Sequence, residues 1–429
     1  MLFRSQPTGE VPFSVTIEMA DCPWAQGHKL ARVALQGRTV VSEERNPANL
    51  VFLIDVSGSM SNANKLPLAK ESMKALLNEL EPHDRVAIVT YASGVSVPLN
   101  STPCTEKDII RNAIDNLRAG GSTHGSAGIQ QAYRIARENF FSGGINRVLI
   151  ATDGDFNVGT TSHDALMNLI TTEAKSKVFL TVMGFGYGNL KDGTLEQIAN
   201  KGNGNYAYID TYAEARRVLV DQISGTLVTI AKDVKIQVEF NPQHIQSYRL
   251  IGYENRALED RDFNDDTKDA GEIGAGHQVT ALYQLVPRGA NVNPGVDQLR
   301  YQSKPQPEEV TDRPVNPEWM TVKLRYKEPD GDTSKLIELP CTNTGGAITQ
   351  ATQDMQFVAS VAAFGMMLRH SQFQGTASYD RIIALAESGK KGDPERQACI
   401  DLMVTAKTLA ASGQRPVPIH RQRHHRPVR

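Results

Sequence analysis

Between Asn49 and about Leu227 the chain sets short, unbroken apolar runs beside stretches whose apolar residues recur at helical spacing. "LVFLID", "RVAIVTYA", "RVLIATD" and "VFLTVMGFG" are continuous rather than alternating, and rich in Val and Ile. That is the pattern of strands buried on both faces. "LPLAKESMKALLNEL", "EKDIIRNAIDNLR", "SAGIQQAYRIAREN" and "HDALMNLITTEAKSK" carry the periodicity of amphipathic helices. Their alternation predicts an α/β class: a doubly wound, mostly parallel sheet with helices on both faces.

The flanks are different in kind. "FSVTIEMA" and "HKLARVALQGR" precede the α/β region as two strands, and "VKIQVEFNP", "SYRLIGYEN" and "HQVTALYQLV" follow it with the alternation of antiparallel strands. Two strands alone are not stable, so the early pair is expected to join the later ones, which makes the α/β domain an insertion in an antiparallel β domain. "WMTVKLRYKEP" and "TSKLIELP" form a further hairpin across "DGD". Helical spacing returns in "DMQFVASVAAFGMMLRH", "YDRIIALAES" and "PERQACIDLMVTAKTLAA". The expected organisation is 1–46, amino-terminal strands of the β domain; 47–226, the α/β domain; 227–345, the β domain continued; 346–413, a small helical region; and 414–429, a disordered basic tail.

Composition narrows the function classes. Lys and Arg number 46 against 48 Asp and Glu, so there is no net field to draw a nucleic acid. No apolar run reaches the roughly 18 residues of a membrane-spanning helix, and "MLFRSQPTGEVPFSVTIEMA" lacks the blocks of a signal peptide. Cys22, Cys104, Cys341 and Cys399 form no C-x-x-C pair and are expected to be isolated thiols.

Candidate chemistry sits where two buried runs end. Asp55 closes "LVFLID" and is followed by Ser57 and Ser59; Asp153 closes "RVLIATD"; Thr123 lies between them in the glycine-rich "RAGGSTHGSAGI". In a doubly wound sheet ligands bind beyond the carboxyl ends of the strands, where strand order reverses. Two carboxylates and three hydroxyls are hard oxygen donors, suited to Mg²⁺ and also to Mn²⁺ or Ca²⁺.

The series Asp55-x-Ser57-x-Ser59, Thr123 and Asp153 resembles the metal-ion-dependent adhesion site (MIDAS) of the von Willebrand factor type A (VWA) domain, a Rossmann-like fold. The wider resemblance, over roughly residues 11 to 410, is to bacterial proteins with a carboxyl-terminal domain of unknown function, loosely labelled as relatives of calcium-activated chloride channel regulators. It implies a divalent cation held by Asp55, Ser57, Ser59, Thr123 and Asp153. It also implies a protein partner that supplies an Asp or Glu to the cation, and a place at the cell envelope or periplasm. Gly58, Met60, Ser122, His124 and Asp155, on the same loops, are the expected partner-facing residues. Coupling of partner binding to movement of "YAEARRVLVDQISGTL", the last helix of the α/β region, is expected as well.

Blander and rival readings attach to the same residues. Asp55 alone could be a helix cap. "GGSTHGS" has no Lys before a Ser or Thr, as a P-loop requires. Asp153 and Asp155 resemble the acid pair of Mg²⁺-dependent phosphatases, but Asn157 stands where those have Thr or Val; the phosphatase is the alternative reading. Asp262, Asn264 and Asp266 have the spacing of a calcium loop, but Thr267 and Ile273 stand where an EF-hand needs Gly and Glu. The sequence therefore predicts a metal-dependent binding module rather than an enzyme.

Overall fold

The structure, a computed structural model, describes residues 11–39, 46–122, 125–154, 163–186, 192–222, 227–252, 270–290, 316–331 and 333–412, with positions 225 and 263. Strands β1 (Phe13–Asp21) and β2 (Lys29–Gly37) form a hairpin in register from Phe13↔Gly37 to Asp21↔Lys29. The α/β region follows. Its strands are β3 (Ala48–Asp55), β4 (Arg85–Tyr91), β5 (Val95–Pro103), β6 (Ile145–Thr152), β7 (Phe179–Phe185) and β8 (Tyr206–Ile209). Its helices are α1 (Leu66–Glu79), α2 (Lys107–Asp115), α3 (Gly125–Glu138), α4 (His163–Ala174), α5 (Asp192–Lys201) and α6 (Tyr212–Arg216), the last continuing as a π-helical turn, Arg217–Asp221.

These strands form one sheet in the order β5-β4-β3-β6-β7-β8, parallel except for the β4–β5 pair. Two apolar layers cover it. On one face Leu50, Phe52 and Ile54 share a core with Ala69, Met73 and Leu76 of α1; on the other Val51 and Leu53 share one with Ile129, Ala132 and Tyr133 of α3. This double cover is why β3 and its neighbours read as unbroken apolar runs. Chain order reverses direction between β3 and β6, so the carboxyl ends of those two strands define the crevice.

Beyond the α/β region lie β9 (Thr229–Phe240), β10 (Ile245–Ile251), β11 (Gly271–Gly274), β12 (Gln278–Pro287), β13 (Met320–Lys327) and β14 (Lys335–Cys341). They complete two four-stranded sheets, β1-β2-β12-β10 and β11-β9-β13-β14, which share a core containing Val33, Leu35, Ile230, Leu285, Val322 and Leu324. The amino-terminal hairpin thus pairs with β12, in register from Gln278↔Gln36 to Leu285↔Lys29, and the α/β domain is inserted into an antiparallel β domain. Strand β2 is buried along all but its first residue. One face lies in the shared core; the other, with Leu30 and Arg32, lies under helices α7 (Gln353–Leu368), α8 (Tyr379–Ser388) and α9 (Pro394–Ala411). Trp24 anchors this second layer, fully buried, its indole N–H donating to Gln284 Oε1 at 3.3 Å.

Charged groups dock the helical layer. Glu18 of β1 accepts from Arg32 at 2.9 Å and from the Thr352 backbone N–H at 2.8 Å. Asp354, in the first turn of α7, accepts from Lys391 at 2.6 Å and from buried Arg396 of α9 at 2.5 Å. Burial pushes the Asp354 carboxyl up, but the hydrogen bonds and charges of Lys391 and Arg396 outweigh it and hold the group below its ordinary 3.8. A depressed carboxyl contributes stability that is complete above its unfolded-state value and disappears as pH falls through the lower folded-state value. Acid should therefore loosen the helical layer only below about pH 4. Asp354→Ala strands the buried Arg396 guanidinium and is expected to cost about 3–5 kcal/mol, measured by denaturant unfolding at neutral pH. An unchanged midpoint would show that the pair is dispensable.

The cysteines are all free: Cys22, Cys104 and Cys341 are buried and Cys399 is half-buried. Among the described residues no helix is long and apolar enough to cross a membrane. The expected tail at 414–429 lies outside the described residues.

Candidate metal centre

The crevice begins with β3, whose five apolar residues Leu50 to Ile54 are buried and whose last residue, Asp55, is buried with them at 0% exposure. Register places Asp55 opposite Tyr91 of β4, and Ile54 opposite Ala151 of β6. Just beyond the strand the chain turns over its own carboxylate: the Ser57 N–H donates to Asp55 Oδ1 at 2.9 Å, and the Thr152 hydroxyl donates to Oδ2 at 3.2 Å. A one-turn 3-10 helix, Gly58–Ser61, follows. Ser57 and Ser59 bring their hydroxyl oxygens to 2.9 Å from each other, with Ser59 exposed.

The neighbouring loop is tied to this turn through the backbone. Gly58 N–H donates to Gly121 O at 3.0 Å and Gly120 N–H donates to Val56 O at 2.7 Å. Gly121 has φ +84°, and a Cβ there would stand 2.5 Å from Ser93 Oγ, so only glycine fits the approach. Ser93 Oγ in turn accepts the Ser122 N–H at 3.0 Å. The loop carrying Ser122 is thereby fixed over the Asp55 turn.

Asp153 follows β6 and is also 0% exposed. Its Oδ2 accepts from the ammonium of Lys65 at 2.8 Å. The two carboxylates sense each other: burial raises the Asp55 pKa, its hydrogen bonds to Ser57 lower it, and the charge of Asp153 raises it again, with a net upward shift. The Tyr91 phenol is pushed well above its ordinary value, first by burial and then by the Asp55 charge. These groups thus form a buried acidic site whose exit to the surface is lined by hydroxyls. A cleft of about 590 Å³ opens beside it, with Ser61, Ala63, Leu66, Pro67 and Arg118 among its walls.

Of the five expected donors, Asp55, Ser57, Ser59 and Asp153 come together at this crevice; Thr123 lies outside the described residues. Among the expected partner-facing residues Gly58 and Ser122 are exposed, and His124 and Asp155 lie outside the described residues. Met60 must be corrected. It is fully buried beneath the 3-10 turn, packed in the core with Leu66 and Leu76, and faces no partner. The acidic positions Asp262, Asn264 and Asp266 lie outside the described residues. Sequence reasoning missed Lys65, Thr152, Tyr91 and Ser93. Register signals Thr152 and Tyr91, since each stands beside Asp55 once the strand order is known.

Residues 49–225 match the von Willebrand factor type A domain, and residues 225–409 match the family described as "Uncharacterized protein YfbK, C-terminal". The uncharacterized protein YfbK of Escherichia coli (strain K12) is 42% identical over 385 residues, covering 90% of this chain and 66% of YfbK. Human inter-alpha-trypsin inhibitor heavy chain H4 is 26% identical over 189 residues, covering 42% of this chain and 19% of that one. The chain thus spans just under two thirds of YfbK and a much smaller part of the heavy chain. Among solved structures, the von Willebrand factor type A protein from Catenulispora acidiphila aligns with a TM-score of 0.46 at 17% identity, covering 89% of this chain and 88% of that one. By these matches residues 49–225 carry a von Willebrand factor type A domain and residues 225–409 the C-terminal domain of YfbK, to which the chain is homologous.

Proposed function

We propose that the protein is a divalent-metal-dependent protein-binding module, serving adhesion or assembly, in which a cation at the β3–β6 crevice captures a carboxylate from a partner. One observation carries this reading: two fully buried carboxylates, Asp55 and Asp153, end adjacent parallel strands, beneath the paired hydroxyls of Ser57 and Ser59. Two carboxylates held together in a desolvated crevice call for positive charge, of which the Lys65 ammonium on Asp153 supplies only one. The residues present fit Mg²⁺ or Mn²⁺, since every donor is a hard oxygen. A donor set without His or Cys differs from that of a zinc centre.

Asp55, Ser57, Ser59, Thr123 and Asp153 would hold the ion, and it would supply a Lewis-acidic docking point for an Asp or Glu of the partner. The chain's own part is to keep that point dry and aimed outward. The Ser57 N–H and the Thr152 hydroxyl fix the Asp55 carboxylate from below, and exposed Gly58 and Ser122 leave the surface above it open. The neighbouring cleft offers Leu66 and Pro67 to side chains flanking the acidic residue. The VWA domain supports the reading, being a module that mediates protein interactions.

The test is calorimetric titration with Mg²⁺ and Mn²⁺, together with affinity capture of partners in Mg²⁺ and in chelator. Binding of one cation and release of the captured partner by chelator are expected. The reading fails if neither ion binds, or if capture is indifferent to the chelator.

A further inference from the structure

Lys65 stands immediately before α1 and is held by its own backbone: its N–H donates to Asn62 O at 3.0 Å, and its carbonyl accepts from Ala69 N–H at 2.8 Å. From there the side chain crosses the end of β7. Gly186, with φ +86°, leaves it a lane, for a Cβ at that position would stand 2.5 Å from Lys65 Cε and 2.8 Å from Cγ. The ammonium then donates to Asp153 Oδ2 at 2.8 Å, with side-chain exposures of 7% for Lys65 and 0% for Asp153. Three separate parts of the sheet edge cooperate in this contact: the turn before α1, the end of β7 and the end of β6.

An exposed lysine near a carboxylate would signify little, because such pairs are worth almost nothing. A buried ammonium on a carboxylate that also faces a second carboxylate is another matter. It occupies an oxygen that a cation would use, and it sets a positive charge against the acidic pair. Any divalent ion entering the crevice must displace the ammonium from Oδ2 or share Asp153 with it, and in either case the lysine charge opposes the ion.

We propose that Lys65 is a tethered cation that competes with the divalent ion for Asp153. It holds the carboxylate in the metal-free protein and raises the metal concentration at which the site loads. Such a chain is stable without metal, and a partner carboxylate, by adding negative charge to the loaded site, favours loading. The inference rests on the reading of the crevice as a metal site.

The experiment compares the full chain with Lys65→Met and with Lys65→Gln, which keeps a hydrogen-bond donor for Asp153 but not the charge. Mn²⁺ affinity is measured by calorimetry, and melting is followed in chelator and in Mn²⁺. Both variants are expected to bind Mn²⁺ about tenfold or more tightly than the parent, since a unit charge a few ångströms away is removed. Lys65→Met is expected to melt lower than the parent in chelator, where Asp153 loses the Lys65 ammonium, and to recover in Mn²⁺. Should Lys65→Met not fold without metal, that result supports the counter-ion role, and Lys65→Gln supplies the affinity. Mn²⁺ affinity equal to or weaker than the parent's in Lys65→Gln overturns the competition while leaving the metal site intact. Failure of the parent and both variants to bind Mn²⁺ overturns the metal reading itself.

Discussion

Deleting residues 1–46 is expected to unfold the antiparallel β domain and make the chain aggregate, although the deletion leaves the whole α/β sheet untouched. Strand β2 lies inside its sheet, hydrogen-bonded to β1 on one edge and to β12 on the other. Phe13, Met19, Ala31, Val33 and Leu35 fill the core shared by the two β sheets; Ala20, Trp24 and Leu30 fill the layer under the helices. Burying each large side chain is worth roughly 1.5–3 kcal/mol, so the segment contributes as much as the roughly 5–15 kcal/mol that holds a whole domain together. Its loss exposes the edge of β12 and an apolar face on each side, which invites aggregation. Residues 47–226, with their own two apolar layers, are expected to fold as a fragment. Size-exclusion chromatography and thermal melting of both proteins check the outcome. A monomeric deletion variant that melts as the full chain does would show that the hairpin is an accessory rather than a wall of the β domain.

The hairpin's place is legible because two strands alone cannot be stable, and β3, β4, β6 and β7 are legible because burial on both faces writes itself as an unbroken apolar run. Where a strand is not buried in that way the pattern fails. Strand β5 alternates Val95, Val97 and Leu99 over a few residues only, interrupted by Pro98 and ended by Pro103; it is an antiparallel edge, the position where proline is tolerated, and its signal is weaker than an unbroken apolar run. Strand β8, four residues long, is too short to show periodicity. In β2, Arg32 has the polarity of an outward position but is buried, because the carboxyl-terminal helices cover that face from more than 300 residues away, as the bond between Thr352 and Glu18 at a separation of 334 shows.

The same division runs through the site. Asp55 and Asp153 stand out because a carboxylate at the end of a buried run is costly and demands a cause. Lys65 does not, since its meaning depends on a partner 88 residues away and on the missing side chain of Gly186. Met60 departs from expectation for a related reason. The alternation Ser57, Ser59 suggests that the intervening and following residues share the surface, whereas the 3-10 turn rotates Met60 down into the core beside α1.

Asp55→Ala is expected to reduce divalent-cation affinity by about a hundredfold or more, because even outer-shell partners of metal ligands are worth about 10–100-fold. Folding should change much less. The substitution leaves the Ser57 N–H and the Thr152 hydroxyl without their acceptor, a cost of about 1–3 kcal/mol. Against that, it removes a desolvated carboxylate raised in pKa by burial and by the Asp153 charge, so part of the cost is offset. The apolar run behind Asp55 keeps its contacts with both layers of the sheet. Calorimetric titration with Mg²⁺ and a denaturant curve in chelator separate the two effects. A variant that folds and still binds the ion at parental affinity would remove Asp55 from the site. The crevice would then be an acidic pocket neutralised from within by Lys65, and the hydroxyls of Ser57 and Ser59 no more than the cap of the turn that follows β3.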